Sequence, residues 1–220
     1  MKKHLPLLKK SLFFKGMSDQ EILSILHCVE ARILSRQSGE YIFHAGDRTS
    51  EMGLVLQGSV LTVQETLWGH RNIMAKVGPG DFFGEPYAAS PGSVLNINVT
   101  ACEDCEILML RISRILTTCP TACSHHSRLI QNLVSVLSGK LLLFNEKITH
   151  MSKRTTREKL LSYLSSESIR QGKRSFDIPY NRQQLADYLC VERAAMSAEL
   201  SKLQKEGLLK TNRSHFELYI

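Results

Sequence analysis

Between Arg32 and Leu110 the apolar residues come in short runs: YIFH, GLVLQG, SVLTV, NIMAKV, LNINVTA and EILML. Gly39, Gly46, Gly53, Gly58, Gly69, Gly78, Gly80, Gly84 and Gly92 punctuate them. Short strands at regular spacing with turn signals between them predict an all-β sandwich or barrel. A helix would not tolerate so many glycines.

From Ser124 to Met151 the period changes. Leu129, Leu133, Val136, Lys140, Phe144, Ile148 and Met151 recur at i+3/i+4 spacing, and Leu137, Leu141 and Leu142 widen the apolar stripe. So long a helix presents more apolar face than one small barrel can cover. The economical solution pairs it with the same helix of a second subunit; the alternative lays it on its own domain.

Beyond Ser152 the helices shorten. Thr155 and Glu158 have capping-box spacing ahead of Leu160, Leu161 and Leu164, and Gly172 ends that segment. SFDIPY reads as a brief strand, and Asn181 with Gln184 begins another helix. Two helices around a tight turn follow, then two short strands in LLKTNRSHFELYI about a turn at Asn212–His215. Helices closed by a terminal hairpin describe a winged helix-turn-helix. The expected class is α+β: an N-terminal β-roll of jelly-roll type over 1–123, a dimerisation helix over 124–151 and a winged helix-turn-helix over 152–220.

Composition changes this picture little. The 220 residues suffice for two small domains, and 43% apolar content with 22% charged content is ordinary for a soluble globular chain. No run approaches the roughly 20 apolar residues of a membrane span. MKKHLPLLKKSLFF invites a signal-peptide reading, but Lys9, Lys10 and Lys15 break its apolar stretches and no small-residue cleavage site follows. The expectation is a short leading helix in a cytoplasmic protein with no membrane partner. Charge is more informative. The net +7 divides into +2 over residues 1–150 and +5 over 151–220. A basic C-terminal domain can displace counterions from a phosphate backbone, although a solvated basic face would look the same.

Within RQQLADYLCVERAAMSAELSKLQKEGLL the first helix spans Arg182–Leu189, the turn Cys190–Glu192 and the recognition helix Arg193–Gln204. Leu185, Ala186, Leu189, Val191, Met196, Leu200 and Leu203 sit where the motif needs packing, Ala186 being small where the helices approach. Arg193, Ala194, Ser197, Ala198 and Lys202 then face outward, toward a major groove. Arg193 can grip guanine O6 and N7 bidentately. Arg182 and Gln183 open the first helix, and Gln183 and Ser197 are placed for phosphate or base contact. Lys202, Lys205 and Arg213 are placed for phosphates, and double-stranded DNA is the expected partner.

These motifs resemble the CRP/FNR family of bacterial regulators along nearly the whole chain. SGEYIFHAGD, EMGLVLQGSV and VGPGDFFGE resemble the family's β-roll signatures, TACEDCEILML its closing strand, NEKI the middle of its dimerisation helix, and RQQLADYL…MSAELSKLQKEGLL its helix-turn-helix. The resemblance implies a cyclic-nucleotide-binding-like sensor domain, a homodimer through the 124–151 helix, a two-fold-related DNA site and contact with RNA polymerase. It also implies an effector pocket around Phe82, Gly84, Glu85, Ser93 and Val94, with Phe144 and Asn145 from the long helix. In members that bind cyclic AMP, the glutamate of the GE pair meets the ribose hydroxyl, an arginine about ten residues later neutralises the phosphate, and a serine follows. Glu85 matches and Ser93 can be aligned, but PYAASPGSVLNINV contains no Lys or Arg. A buried phosphate without a cation costs several kcal/mol, so cyclic AMP is not the expected effector, whose identity stays unknown. Phe144 also stands where the family carries a hydroxyl. Ala194 and Ala198 replace a glutamate and an arginine that touch bases in well-known members, which leaves Arg193 as the main direct reader, helped by Ser197 and DNA shape.

The family's oxygen sensors hold an iron–sulfur cluster on N-terminal cysteines. Here only Cys28 precedes residue 102, so that cofactor is not supported. Cys102 and Cys105 span a strand's entry, where residues three apart point to opposite faces. Cys119 and Cys123, beside His125 and His126, could form a disulfide, a helix-terminal thiolate or a metal site, or be thiols with no role. Cys190 stands where the family's turn commonly has glycine and is read as structural. His44 is alone in YIFHAGD, without the converging ligands a β-barrel metal enzyme needs, so no enzyme is expected. Three functions remain: a regulator controlled by a small-molecule or redox signal other than cyclic AMP, a DNA-binding regulator with a vestigial pocket, and a β-barrel small-molecule-binding protein or enzyme.

Overall fold

The computed structural model describes residues 1–116 and 124–219. The chain divides into two compact units, Met1–Leu67 with Met74–Lys140, and Trp68–Ile73 with Leu141–Ile220.

The first unit opens with helices α1 (Leu5–Lys10) and α2 (Asp19–Cys28). The leading helix was expected and α2 was not, although its signal is local: Ser18 accepts from the Glu21 amide while Glu21 accepts from the Ser18 amide. Eight strands follow: β1 (Arg32–Arg36), β2 (Tyr41–Phe43), β3 (Glu51–Gln57), β4 (Val60–Glu65), β5 (Arg71–Val77), β6 (Phe82–Phe83), β7 (Asn98–Ala101) and β8 (Cys105–Arg111). Short helices α3 (Glu85–Ala89) and α4 (Ile112–Leu116) interrupt and close them. The strands form two four-stranded sheets, ordered β1-β8-β3-β6 and β2-β7-β4-β5.

Strand β3 explains why its sequence reads as a continuous apolar run. Val55, with Ile107 and Met109 of β8, packs against Val60, Val99 and Ala101 of the other sheet. Met52, Leu54 and Leu56 point the opposite way, into a second cluster with Leu8, Phe13, Phe14, Ile22 and Leu26 of the N-terminal segment. A strand buried on both faces cannot alternate apolar with polar.

The stripe of helix α5 (Ser124–Met151) divides into a buried first part and an exposed second part. Leu129 and Leu133 are buried in the second cluster. Asn132 there donates to the carbonyls of Phe13 (2.9 Å) and Lys15 (3.0 Å), and Arg128 to that of Gly16 (2.7 Å). From Leu141 onward the apolar residues are open: Leu141 is 62% exposed, Leu142 65% and Ile148 64%.

The second unit continues with α6 (Thr156–Gln171), β9 (Ser175–Asp177), α7 (Arg182–Leu189), α8 (Arg193–Lys205), β10 (Leu209–Asn212) and β11 (His215–Leu218). Both expected capping boxes form, Thr155 with Glu158 and Asn181 with Gln184, and Gly172 closes α6 in the left-handed region. The last three strands pair antiparallel in the order β10-β11-β9. This is the winged arrangement read from the hairpin residues.

Gly53 is the tightest point of the β-roll, because a Cβ there would lie 2.2 Å from the Phe83 ring that pairs across from it. Gly53→Ala must push that fully buried ring out of place. We expect a loss of about 2 kcal/mol, seen as a melting temperature lower by roughly 4–8 °C.

Candidate functional site

The FFGE segment turns from strand to helix. Gly84 adopts φ +80°, where a Cβ would meet the Phe43 ring at 2.8 Å, and this turn sends Glu85 inward at the start of α3. Glu85 is 1% exposed, yet its carboxylate has a cation: Lys140 Nζ of α5 pairs with Glu85 Oε1 and also donates to the Phe82 carbonyl. Both carboxylate oxygens are shut off from water and, among the described residues, accept no other hydrogen bond. Sequence reading found no cation between Pro86 and Val99. The one that reaches the glutamate stands 55 positions further along, on the other side of the domain's closing strands. Lys140 had been counted in an apolar stripe, and its polar head was the signal for an inward partner.

The other expected pocket residues divide. Phe82 is buried, edge-on to Phe13 at 4.9 Å. Ser93 Oγ donates to the Tyr87 carbonyl (2.9 Å), so its hydroxyl is used within its own loop, while Val94 is exposed. Phe144 and Asn145 belong to the second unit, where both are exposed. His125 and His126 separate: His125 Nδ1 lies 2.8 Å from Glu21, and buried His126 Nε2 lies 3.8 Å from Cys28 Sγ. Cys119 and Cys123 lie outside the described residues. Among the described residues no three His, Cys, Asp or Glu side chains converge as a metal site. Cys105 is buried and Cys102 half-buried.

Within the second unit a buried lysine ties three segments together. Lys147 of α5 is 4% exposed; its Nζ donates to Asn72 Oδ1 (3.0 Å) and the Ile73 carbonyl (2.5 Å), and sits 4.7 Å over the Tyr188 ring. Tyr188 stacks on Tyr180 at 4.8 Å and Tyr163 lies 5.4 Å away, so α7 rests on an aromatic cluster. His150 closes it, edge-on to Tyr163 and 2.8 Å from Ser162 Oγ, its pKa lowered by burial. Sequence reading passed over Lys147 and the tyrosines, since nothing in the spacing of NEKI or ADYL shows that they meet.

Of the expected packing residues of the helix pair, Leu185, Ala186, Leu189, Met196, Leu200 and Leu203 are buried, and Val191 at the turn is half-buried. Its elbow is unusual. Cys190 itself takes the left-handed conformation (φ +52°), with the Val191 amide donating to the Ala186 carbonyl at 3.0 Å. Arg157 of α6 clamps the recognition helix, donating to Glu199 (3.2 Å) and, with both Nη atoms, to Glu206 (3.0 and 2.5 Å). Those Glu206 hydrogen bonds hold the Arg157 pKa above its ordinary value. Gln183, Arg193, Ala194, Ser197, Ala198, Lys202, Lys205 and Arg213 are all exposed. Among the described residues Arg193 has no side-chain partner, Gln183 donates to Asp187 (2.8 Å), and Ser197 bonds back to the Arg193 carbonyl (2.9 Å). Arg182 differs from these, its guanidinium turned inward onto the wing.

Two of these buried groups give measurable expectations. Lys140→Met strands the Glu85 charge, so we expect a loss of roughly 3 kcal/mol in urea unfolding at neutral pH, largely recovered in Lys140→Met with Glu85→Gln. Burial lowers the Lys147 pKa from 10.5 to about 8. Between those values the unfolded chain binds a proton that the folded chain does not, so stability is lowest below pH 8 and rises toward pH 10.5. Relative to Lys147→Met, the wild type should gain up to about 3 kcal/mol between pH 7 and 10.5 in matched urea titrations.

A cyclic nucleotide-binding domain model matches residues 34–120, and a Crp-like helix-turn-helix domain model matches residues 158–219. The Cyclic AMP receptor protein of Thermus thermophilus is 27% identical over 205 residues, covering 92% of this chain and 90% of that protein. The Transcriptional activator protein FnrL of Cereibacter sphaeroides is 24% identical over 187 residues, covering 80% of this chain and 71% of that one. The solved structure of the regulator CLP from Xanthomonas campestris superposes with TM-score 0.73 at 19% identity, covering 92% of this chain and all (100%) of that one, a likeness of fold. The two matched domains follow one another along this chain, and the chain belongs to the CRP/FNR family of transcription regulators.

Proposed function

We propose that this regulator works as a homodimer through the open half of α5, reads a two-fold-related DNA site with α8, and contacts RNA polymerase as the family does. The observation that carries the reading is the division of α8. Met196, Leu200 and Leu203 face inward, while Arg193, Ala194, Ser197 and Ala198 form an exposed strip with Lys202 and Lys205 behind it. Arg193, at the helix start and without a side-chain partner among the described residues, reads a guanine; the alanines offer only methyl contact with thymine. The apolar surface from Leu141 to Ile148 supports pairing with a second copy.

The sensor answers to something other than cyclic AMP. Glu85 is already neutralised by Lys140 and Ser93 is bonded within its loop, so a ribose hydroxyl and a phosphate would each have to displace a resident contact. The regulator CLP, of the same fold, is c-di-GMP responsive, which supports effectors of other chemistry on this fold. The same self-satisfied contacts favour a second reading, a regulator whose pocket is vestigial. Operator affinity measured with and without cyclic AMP, other cyclic nucleotides and oxidants separates the two.

The DNA reading is tested by selecting duplexes from a random-sequence pool with the full-length protein and titrating them at several salt concentrations. With about three phosphate-facing cations per subunit, the slope of log K against log salt should be near −5 for the dimer. Arg193→Ala should cost about 1–3 kcal/mol and relax one base position per half-site. Equal weakening on every sequence would make Arg193 a phosphate contact instead.

A further inference from the structure

Arg182 opens α7, one residue from Gln183, and would be expected to share its solvent-facing role. Its side chain does otherwise. Nη2 donates to Thr211 Oγ1 at 2.6 Å, and the guanidinium carbon lies 5.0 Å from the centre of the fully buried Phe216 ring. Nη1 is shut off from solvent and has no hydrogen-bond partner among the described residues. Burial lowers the Arg182 pKa, consistent with a group withdrawn from water.

Thr211 belongs to β10 and Phe216 to β11, facing one another across the wing. Thr211 Oγ1 in turn donates a hydrogen bond to the His215 carbonyl (2.9 Å), and the Thr211 amide donates to Gln204 Oε1 of α8 (3.1 Å). Behind Phe216 lies Phe176 of β9, stacked at 6.4 Å. One threonine therefore joins the first helix, the recognition helix and the wing, and Arg182 is the link from the first helix. Beyond it the wing turns at Arg213, exposed and held at φ +51°.

We propose that Arg182 is a positioning residue that fixes the wing against the helix pair, and so sets where Arg213 meets the DNA backbone, rather than being one of the cations that touch phosphate. The proposal rests on the DNA-binding reading for its consequence, but its structural half stands apart from it. A cation whose Nη1 cannot reach solvent and whose Nη2 is engaged releases no counterion on binding DNA. Its removal loosens a surface without changing the number of phosphates neutralised. An ordinary phosphate contact behaves in the opposite way, which makes the two separable.

The test uses the full-length protein and duplexes enriched by the wild type from a random-sequence pool. Arg182→Met should weaken binding about tenfold at every salt concentration and leave the salt slope unchanged. Thr211→Val, which keeps the charge, should weaken it similarly, and the double variant should add little because one link is being broken twice. Arg213→Ala should instead make the slope shallower by about 2, one phosphate per subunit. In the free protein, Arg182→Met and Thr211→Val should each speed amide exchange across Leu209–Leu218 by about tenfold, with α6 unaffected. A slope shallower by about 2 in Arg182→Met, or wing exchange unchanged in both variants, overturns the proposal. Should the wild type enrich no duplex, the DNA reading has failed and the exchange experiment on the free protein still decides the role of Arg182.

Discussion

A carboxylate that is 1% exposed must be answered by a positive charge, and in the sensor unit the answer comes from the long helix. The Glu85–Lys140 pair, with the Phe82 carbonyl as second acceptor, sets the rotation and height of α5 against the β-roll. Desolvating two charges is expensive, so such a pair is a weak source of net stability, but any slip of the helix would leave both ions stranded. Leu129 and Leu133 can then enter the cluster under α1 and α2, while Leu141 onward is left facing out. Helix registration thus depends on one pair of side chains.

The C-terminal unit solves a related problem with different materials. A reading helix must hold its outward side chains still while having few apolar residues to spare, and α8 buries only Met196, Leu200 and Leu203. Arg157 adds a charged clamp along α6, and Lys159 Nζ caps the end of α7 at the Leu189 carbonyl (3.4 Å). The tyrosines at 163, 180 and 188 supply bulk where a small domain lacks a deep core, and Lys147 lies over that aromatic surface.

Local signals made most of this legible in the sequence. The strands between glycines, the capping residues Thr155 and Asn181, the bounds of α7 and the terminal hairpin all appear where periodicity and turn chemistry put them. Helices α3 and α4 span only five residues each, too few for a 3.6-residue period to show. Helix α2 was legible in Ser18 and Glu21 and went unread beside the stronger β pattern. Pairings across long stretches of chain were not legible. Lys140 with Glu85, Lys147 with Asn72, and Arg182 with Thr211 each need the fold before the partners can be known. The candidate reading face was easier, because a helix shows its outward side as the complement of its buried one. Arg182 was the exception, since its spacing suited solvent and its length let it fold back onto Phe216.

The elbow between the reading helices bears on how this protein can vary. Cys190 carries a side chain through the left-handed region at a cost of about 1–2 kcal/mol relative to ordinary backbone. Substitutions at that point are therefore unequal before any DNA contact is considered. Glycine relaxes the backbone and asparagine is tolerated, while valine, isoleucine or threonine crowds it further. Mutational tolerance at the elbow is governed by one torsion angle, and a thiol there is a starting point from which stabilising change is a single replacement away.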